Sequence, residues 1–133
     1  MPIEHIRLSQ QAREQLIRLK RHTGIEHWNV LCRWAFCRSL SEPGAPAPAK
    51  IPADSNVEMS WRVFGGRHSD LFLALLKAKC LNEGMEIDDE VLAQQFRLHL
   101  HRGIAYLAND RDCRSIAALV SLGAASPTPC VTV

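Results

Sequence analysis

Arg7, Arg13, Arg18, Lys20, Arg21 and Arg33 are the side chains of this 133-residue chain best grouped to act together, and the chemistry they offer is phosphate contact. Residues 1–40 hold seven Lys and Arg against three Asp and Glu, whereas residues 41–133 hold nine against eleven, so a net charge of only +2 conceals a cationic first third. Cations clustered along one element form the electrostatic footprint of a nucleic-acid binder. The plainer reading is a solvated surface, partly neutralised if Glu14 pairs with Arg18 one turn on. Contacts to phosphate oxygens would make binding strongly salt dependent and poor at discriminating sequence.

Other residue groups suggest chemistry less well. His99 and His101 form an HxH pair, but two residues on a helix are separated by about 200° and cannot share one ion, so no metal is expected. Asp88, Asp89 and Glu90 resemble a metal-binding carboxylate cluster of a nuclease, yet consecutive acids at a helix start more often serve as caps. Trp28, Trp34 and Trp61 could stack on exposed bases, although packing is the commoner role of tryptophan. His22 and His27 flank the turn between the first two helices. No GxSxG, Walker A, HExxH or His-Cys pair at interpretable spacing occurs, and no catalytic residue or cofactor is expected. The five cysteines (Cys32, Cys37, Cys80, Cys113 and Cys130) lack CxxC spacing and read as reduced, packed thiols.

The elements that must position these groups can be read from periodicity. Residues 3–8 alternate as a short strand does. Ser9 then looks like an N-cap for a helix over Gln10 to His22, with Ala12, Leu16 and Leu19 on one stripe and Arg13, Ile17, Lys20 and Arg21 opposite. Thr23-Gly24 closes it. A second helix, from about Glu26 to Leu40, has Trp28, Leu31, Cys32, Ala35 and Phe36 on one face and Val30, Trp34 and Cys37 on the other, with Asn29 and Arg33 between. A helix apolar on two sides of so small a domain predicts an interface with another copy through Val30, Trp34 and Cys37.

Residues 41–56 hold Pro43, Pro46, Pro48 and Pro52 and read as an extended, mobile connector. Val57 to Phe64 alternates like a strand stopped by Gly65-Gly66. An apolar helix follows through Leu71, Phe72, Leu75, Leu76 and Cys80 to about Gly84. The longest helix should start at Asp88 and run through Leu92, Phe96, Leu100, Gly103 and Leu107. Ser115 to Leu122 could add a last short helix, and residues 123–133 read as a flexible tail. The sum is one mainly α domain over 1–133: a short N-terminal strand, two helices, then two further long helices. The absence of a leader or an apolar run of about 18 residues predicts a soluble, cytoplasmic protein.

The segments Thr23-Gly-Ile25, Trp28-Asn-Val-Leu-Cys-Arg-Trp-Ala-Phe36, Trp61-Arg-Val-Phe-Gly-Gly66, Leu73-Ala-Leu-Leu-Lys77 and Gln95-Phe-Arg-Leu-His-Leu-His-Arg-Gly-Ile-Ala-Tyr-Leu107 resemble the DndE family of DNA phosphorothioation systems over about residues 5–110. The resemblance implies a small helical protein that works with a cysteine desulfurase, a sulfotransferase-like enzyme and an ATPase. It also implies tetramers and binding to nicked double-stranded DNA. Together with the basic face, the expected function is a non-enzymatic, homo-oligomeric DNA-binding component of DNA sulfur modification. A nickase or nuclease is the alternative enzyme class. A regulator of the ribbon-helix-helix type is another, since strand, helix, helix is its layout, with Ile3, His5 and Arg7 then facing the groove.

Overall fold

The computed structural model describes residues 3–109 and Val120. Elements run in the order β1 (His5–Arg7), α1 (Gln10–Thr23), α2 (Trp28–Leu40), β2 (Glu58–Ser60), α3 (Trp61–Gly65), a 3₁₀ turn (Gly66–His68), α4 (Ser69–Asn82) and α5 (Asp89–Asn109). The architecture is mainly α, as expected. The possible helix over Ser115 to Leu122 and the tail over 123–133 lie, Val120 aside, outside the described residues.

The strand, helix, helix order of the first forty residues is present, but β1 pairs within its own chain. It runs antiparallel to β2, with Ile6 opposite Met59. A ribbon-helix-helix protein pairs this strand with that of a second chain. The alternation from Val57 to Phe64 also ends early. Ser60 accepts from the Val63 N–H at 3.1 Å and so caps a helix where the pattern alone predicts more strand. Val57, Met59 and Trp61 nonetheless all point inward.

α1 follows its sequence closely. Ser9 accepts from the Ala12 N–H at 3.1 Å, and Gly24, at φ 76°, donates to Lys20 O at 3.0 Å to close the last turn. Ala12, Leu16 and Leu19 are buried; burying each leucine contributes about 1.5–3 kcal/mol. α2 starts at Trp28, two residues later than the pattern suggests, and Asp88 caps α5 by accepting from the Val91 N–H at 2.9 Å.

The core is aromatic at its centre. All four phenylalanines meet there: Phe36 lies 5.1 Å from Phe96 and 5.6 Å from Phe64, and Phe64 lies 5.4 Å from Phe72, measured between ring centroids. Trp61 stacks on Phe64 at 5.2 Å. Such edge and offset arrangements each add about 0.5–1.5 kcal/mol beyond area burial. Beside this cluster α2 and α5 cross in backbone contact. A Cβ on Gly103 would stand 1.7 Å from Ala35 O, so only glycine permits the crossing.

The segment between α2 and β2 has no regular element but is well anchored. Its prolines remove N–H donors, and α5 reaches across to satisfy its carbonyls. Arg97 donates to Ile51 O at 3.2 Å and Pro52 O at 3.0 Å, while Arg102 donates to Gly44 O at 3.4 Å. At the far end Ser55 donates through its hydroxyl to Leu8 O at 2.7 Å, and Asp54 Oδ1 accepts from the Gln10 N–H at 2.8 Å.

Candidate nucleic-acid interface

The six predicted cations separate into two groups once their partners are known. Arg7 is committed to β2: it donates to Glu58 Oε2 at 2.7 Å and to Ser55 O at 3.3 Å. Arg33 is committed to the end of α3, where it donates through Nε to Phe64 O and through Nη2 to Val63 O at 3.2 Å. Asn29 also donates to Val63 O, at 3.3 Å. The two polar interruptions in α2 therefore supply donors for carbonyls that a five-residue helix leaves unpaired.

Arg13, Arg18, Lys20 and Arg21 behave differently. All four lie on α1 outside its buried stripe, Arg18 and Arg21 exposed and Arg13 and Lys20 half-buried beside it, and none has a carboxylate within ion-pair distance among the described residues. Glu14 and Arg18, though spaced for a pair, do not form one. Lys20 Nζ sits 4.0 Å above the Trp28 ring, a cation–π contact that ties the end of α1 to the start of α2 and holds the ammonium in place. The first turn of α1 carries no acidic residue. One helix thus carries four cations whose charge no described carboxylate cancels.

The histidine pair is divided between two braces. His101 Nε2 accepts from the Ser9 N–H at 3.2 Å while Nδ1 donates to Arg97 O at 2.9 Å. Both bonds need the neutral ring, and burial pushes its pKa down to about 4. His99 is buried, with Nδ1 2.8 Å from Ser39 Oγ. Arg102 Nε donates to that same Oγ at 2.8 Å, so the hydroxyl proton is directed at His99. Burial, with Arg102 and Lys79 adding positive charge, brings His99 to about 4 as well. Arg97, Arg102 and His101 join the connector, the start of α1 and α5. Sequence reading missed this function, although a proline-rich segment with carbonyls to satisfy is a signal that donors must come from elsewhere.

The tryptophans are largely structural. Trp61 is buried, and Trp28 and Trp34 are half-buried against the core. On the outward side of α2, Val30 and Trp34 are half-buried and Cys37 is exposed. Cys32, Cys37 and Cys80 are free thiols, and burial pushes Cys32 up to about 12, which makes it inert. No helix among the described residues is long and apolar enough to cross a membrane.

Fold and site together define a small helical protein that turns one cationic helix outward and uses Arg7, Arg33, Arg97 and Arg102 as braces within the fold. The model of the family described as DNA sulphur modification protein DndE matches residues 5–115, and the chain belongs to the DndE family. It is similar to the crystal structure of DndE from Escherichia coli B7A, a protein involved in DNA phosphorothioation modification. That similarity is 26% identity at a TM-score of 0.67, over 80% of this chain and 98% of that one. A G21/24K mutant of DndE, also involved in DNA phosphorothioation, is 25% identical at a TM-score of 0.62 with the same coverage. No curated protein matches the chain.

Proposed function

We propose that this protein is a non-enzymatic component of DNA phosphorothioation that holds double-stranded DNA, preferentially at a nick, through Arg13, Arg18, Lys20 and Arg21. The observation that carries this reading is the contrast among the cations: those of α1 face solvent without a counter-charge, whereas Arg7, Arg33, Arg97 and Arg102 are consumed by the fold. Phosphate is the partner that such a row of point charges and guanidinium forks suits. Copies of the chain would assemble through the outward side of α2, at Val30, Trp34 and Cys37, as a tetramer. Repetition of one modest basic face then raises the affinity for a continuous backbone. Partner enzymes, a cysteine desulfurase, a sulfotransferase-like enzyme and an ATPase, would carry the exchange of oxygen for sulfur. The capping bond of Asp88 supports a structural role for the acidic cluster rather than a metal-dependent nicking role.

The test is the affinity for one duplex in intact, nicked and gapped forms across a salt series, for wild type and for Arg13→Ala/Lys20→Ala/Arg21→Ala. Tighter binding to the nick, with a steep salt slope that flattens by roughly one unit per cation removed, is the expected result. Salt-insensitive binding, or a triple variant as tight as wild type, would sink the reading.

A further inference from the structure

α4 is apolar on two sides, and the described elements cover only one of them. Leu76 and Cys80 are buried and Phe72 and Leu73 pack against the core. On the opposite side Leu71 is 54% exposed, Leu75 40% and Leu81 61%, with Ala74 and Ala78 exposed between them. Leu71, Ala74, Ala78 and Leu81 follow one another at spacings of three, four and three, which is the seam of a coiled coil over one and a half heptads. Large residues at the ends and alanines in the middle leave a shallow groove into which the knobs of a second helix fit. A strand or a loop would leave that periodicity unused.

Charge narrows the occupant. Lys77 flanks the seam near its middle, and Arg67 stands just before its N-terminal end. Neither has a carboxylate within ion-pair distance among the described residues. Asp70 lies in the first turn of α4, where the helix N-terminus already balances it. If a second copy docked here about a two-fold axis, Leu71 would face the partner's equivalent of Leu81. The axis would then pass close to Lys77 and set two ammonium groups side by side. A helix with carboxylates beside its apolar stripe has no such conflict.

We propose that the outer face of α4 is a docking site for an amphipathic helix of a different protein, one whose apolar seam is edged by Asp or Glu. This surface is separate from the cationic side of α1, and the inference does not depend on DNA binding. In α4 the occupant would bury Leu71, Leu75 and Leu81 and place carboxylates opposite Lys77 and Arg67.

The experiment uses the full chain and labelled helical peptides of about three heptads, with leucine at the core positions and either glutamate or lysine at the flanking ones. Anisotropy titration should show the acidic peptide binding at least about tenfold more tightly than the basic one. Leu71→Ser/Leu81→Ser should abolish that binding while leaving the circular dichroism unchanged, because both side chains are more than half exposed and neither belongs to the core. Lys77→Glu/Arg67→Glu should reverse the preference. Three results overturn the proposal. One is equal or absent binding of both peptides at about 100 μM, far above the range of a specific interface. Another is a wild-type assembly that Leu71→Ser/Leu81→Ser converts to a smaller one, which assigns the face to a second copy. The last is binding to anionic lipid vesicles that the same variant loses, which assigns it to a membrane surface.

Discussion

α2 and α4 are two helices of nearly equal length, each with nine apolar residues and each apolar on two sides, and the fold treats them differently. α2 is enclosed. Its inner face holds Leu31, Cys32, Ala35, Phe36 and Ser39 in the core, α5 crosses it in backbone contact at Gly103, and its own Asn29 and Arg33 fasten α3 alongside. α4 buries only Leu76 and Cys80 and leaves a row of leucines in water. Two-sided apolar character predicts a partner; the inner side of α2 finds it in the rest of its own chain, while Val30 and Trp34 stay half-buried and Cys37 exposed on the outer side. For α4 no described element supplies one on its outer side.

The sharpest break of this contrast is Gly103→Ala. The added methyl would enter the space of Ala35 O at 1.7 Å, and backbone cannot yield as a side-chain tip does. α2 and α5 must separate, which disturbs the ring cluster around Phe36. We expect a loss of about 3 kcal/mol or more, the upper end of overpacking costs, read from the midpoint of urea denaturation. A variant as stable as wild type would show that the two helices do not cross this closely.

A smaller effect is expected at the junction that fastens α2 to α5. Arg102→Ala removes two charged donors from Ser39, one to the hydroxyl at 2.8 Å and one to the carbonyl at 2.8 Å, and leaves the buried serine with only His99 and the Glu42 N–H as partners. The expected loss is about 1–3 kcal/mol, with the segment around Gly44 becoming the first site of limited proteolysis. Proteolysis unchanged from wild type would mean that the prolines alone keep the connector in place.

Acid offers a way to weaken the same junction without a substitution. His99 faces Arg102, Lys79 and Glu83, and His101 faces Arg97; burial holds both near 4, below the ordinary value of 6.5. Between those two values the unfolded chain binds more protons than the folded one. Stability contributed by the neutral rings is therefore complete above about pH 6.5 and is lost as pH falls toward 4. Denaturation midpoints at a series of pH values should decline over that window, and His101→Gln should flatten part of the decline. An equal decline in His101→Gln would place the whole effect elsewhere.

Much of this architecture was legible because local chemistry and tertiary fold agree. Ser9 and Gly24 bracket α1 as caps do anywhere, and Ala12, Leu16 and Leu19 have the spacing of a buried stripe. What escaped was non-local. Arg7 and Arg33 resemble Arg13 and Arg21 in the linear chain, and only the arrival of Glu58 and of the α3 carbonyls distinguishes a brace from an outward cation. Trp61 continues an alternating pattern, yet one serine hydroxyl turns the chain into a helix there. α4 has the same apolar content as α2, and nothing local says that α5 will cross one and pass by the outer face of the other.

The smallest expected effect is the most pointed for the comparison. Leu71→Ser on α4 exchanges an apolar side chain that is already 54% exposed, so little transfer free energy is lost on folding, and serine has a modestly lower helix propensity than leucine. Stability should stay within about 0.5 kcal/mol of wild type, as for surface substitutions in general. The corresponding change on α2, Leu31→Ser, removes a fully buried side chain and puts a hydroxyl in its place. A cost several times greater is expected there, from cavity formation and the desolvated hydroxyl together. Measured side by side in urea, the two variants separate a helix held by its own fold from one with a face left to another molecule. Equal costs would mean that something already covers Leu71 in solution, and the oligomeric state of the wild-type chain would show whether it is a second copy.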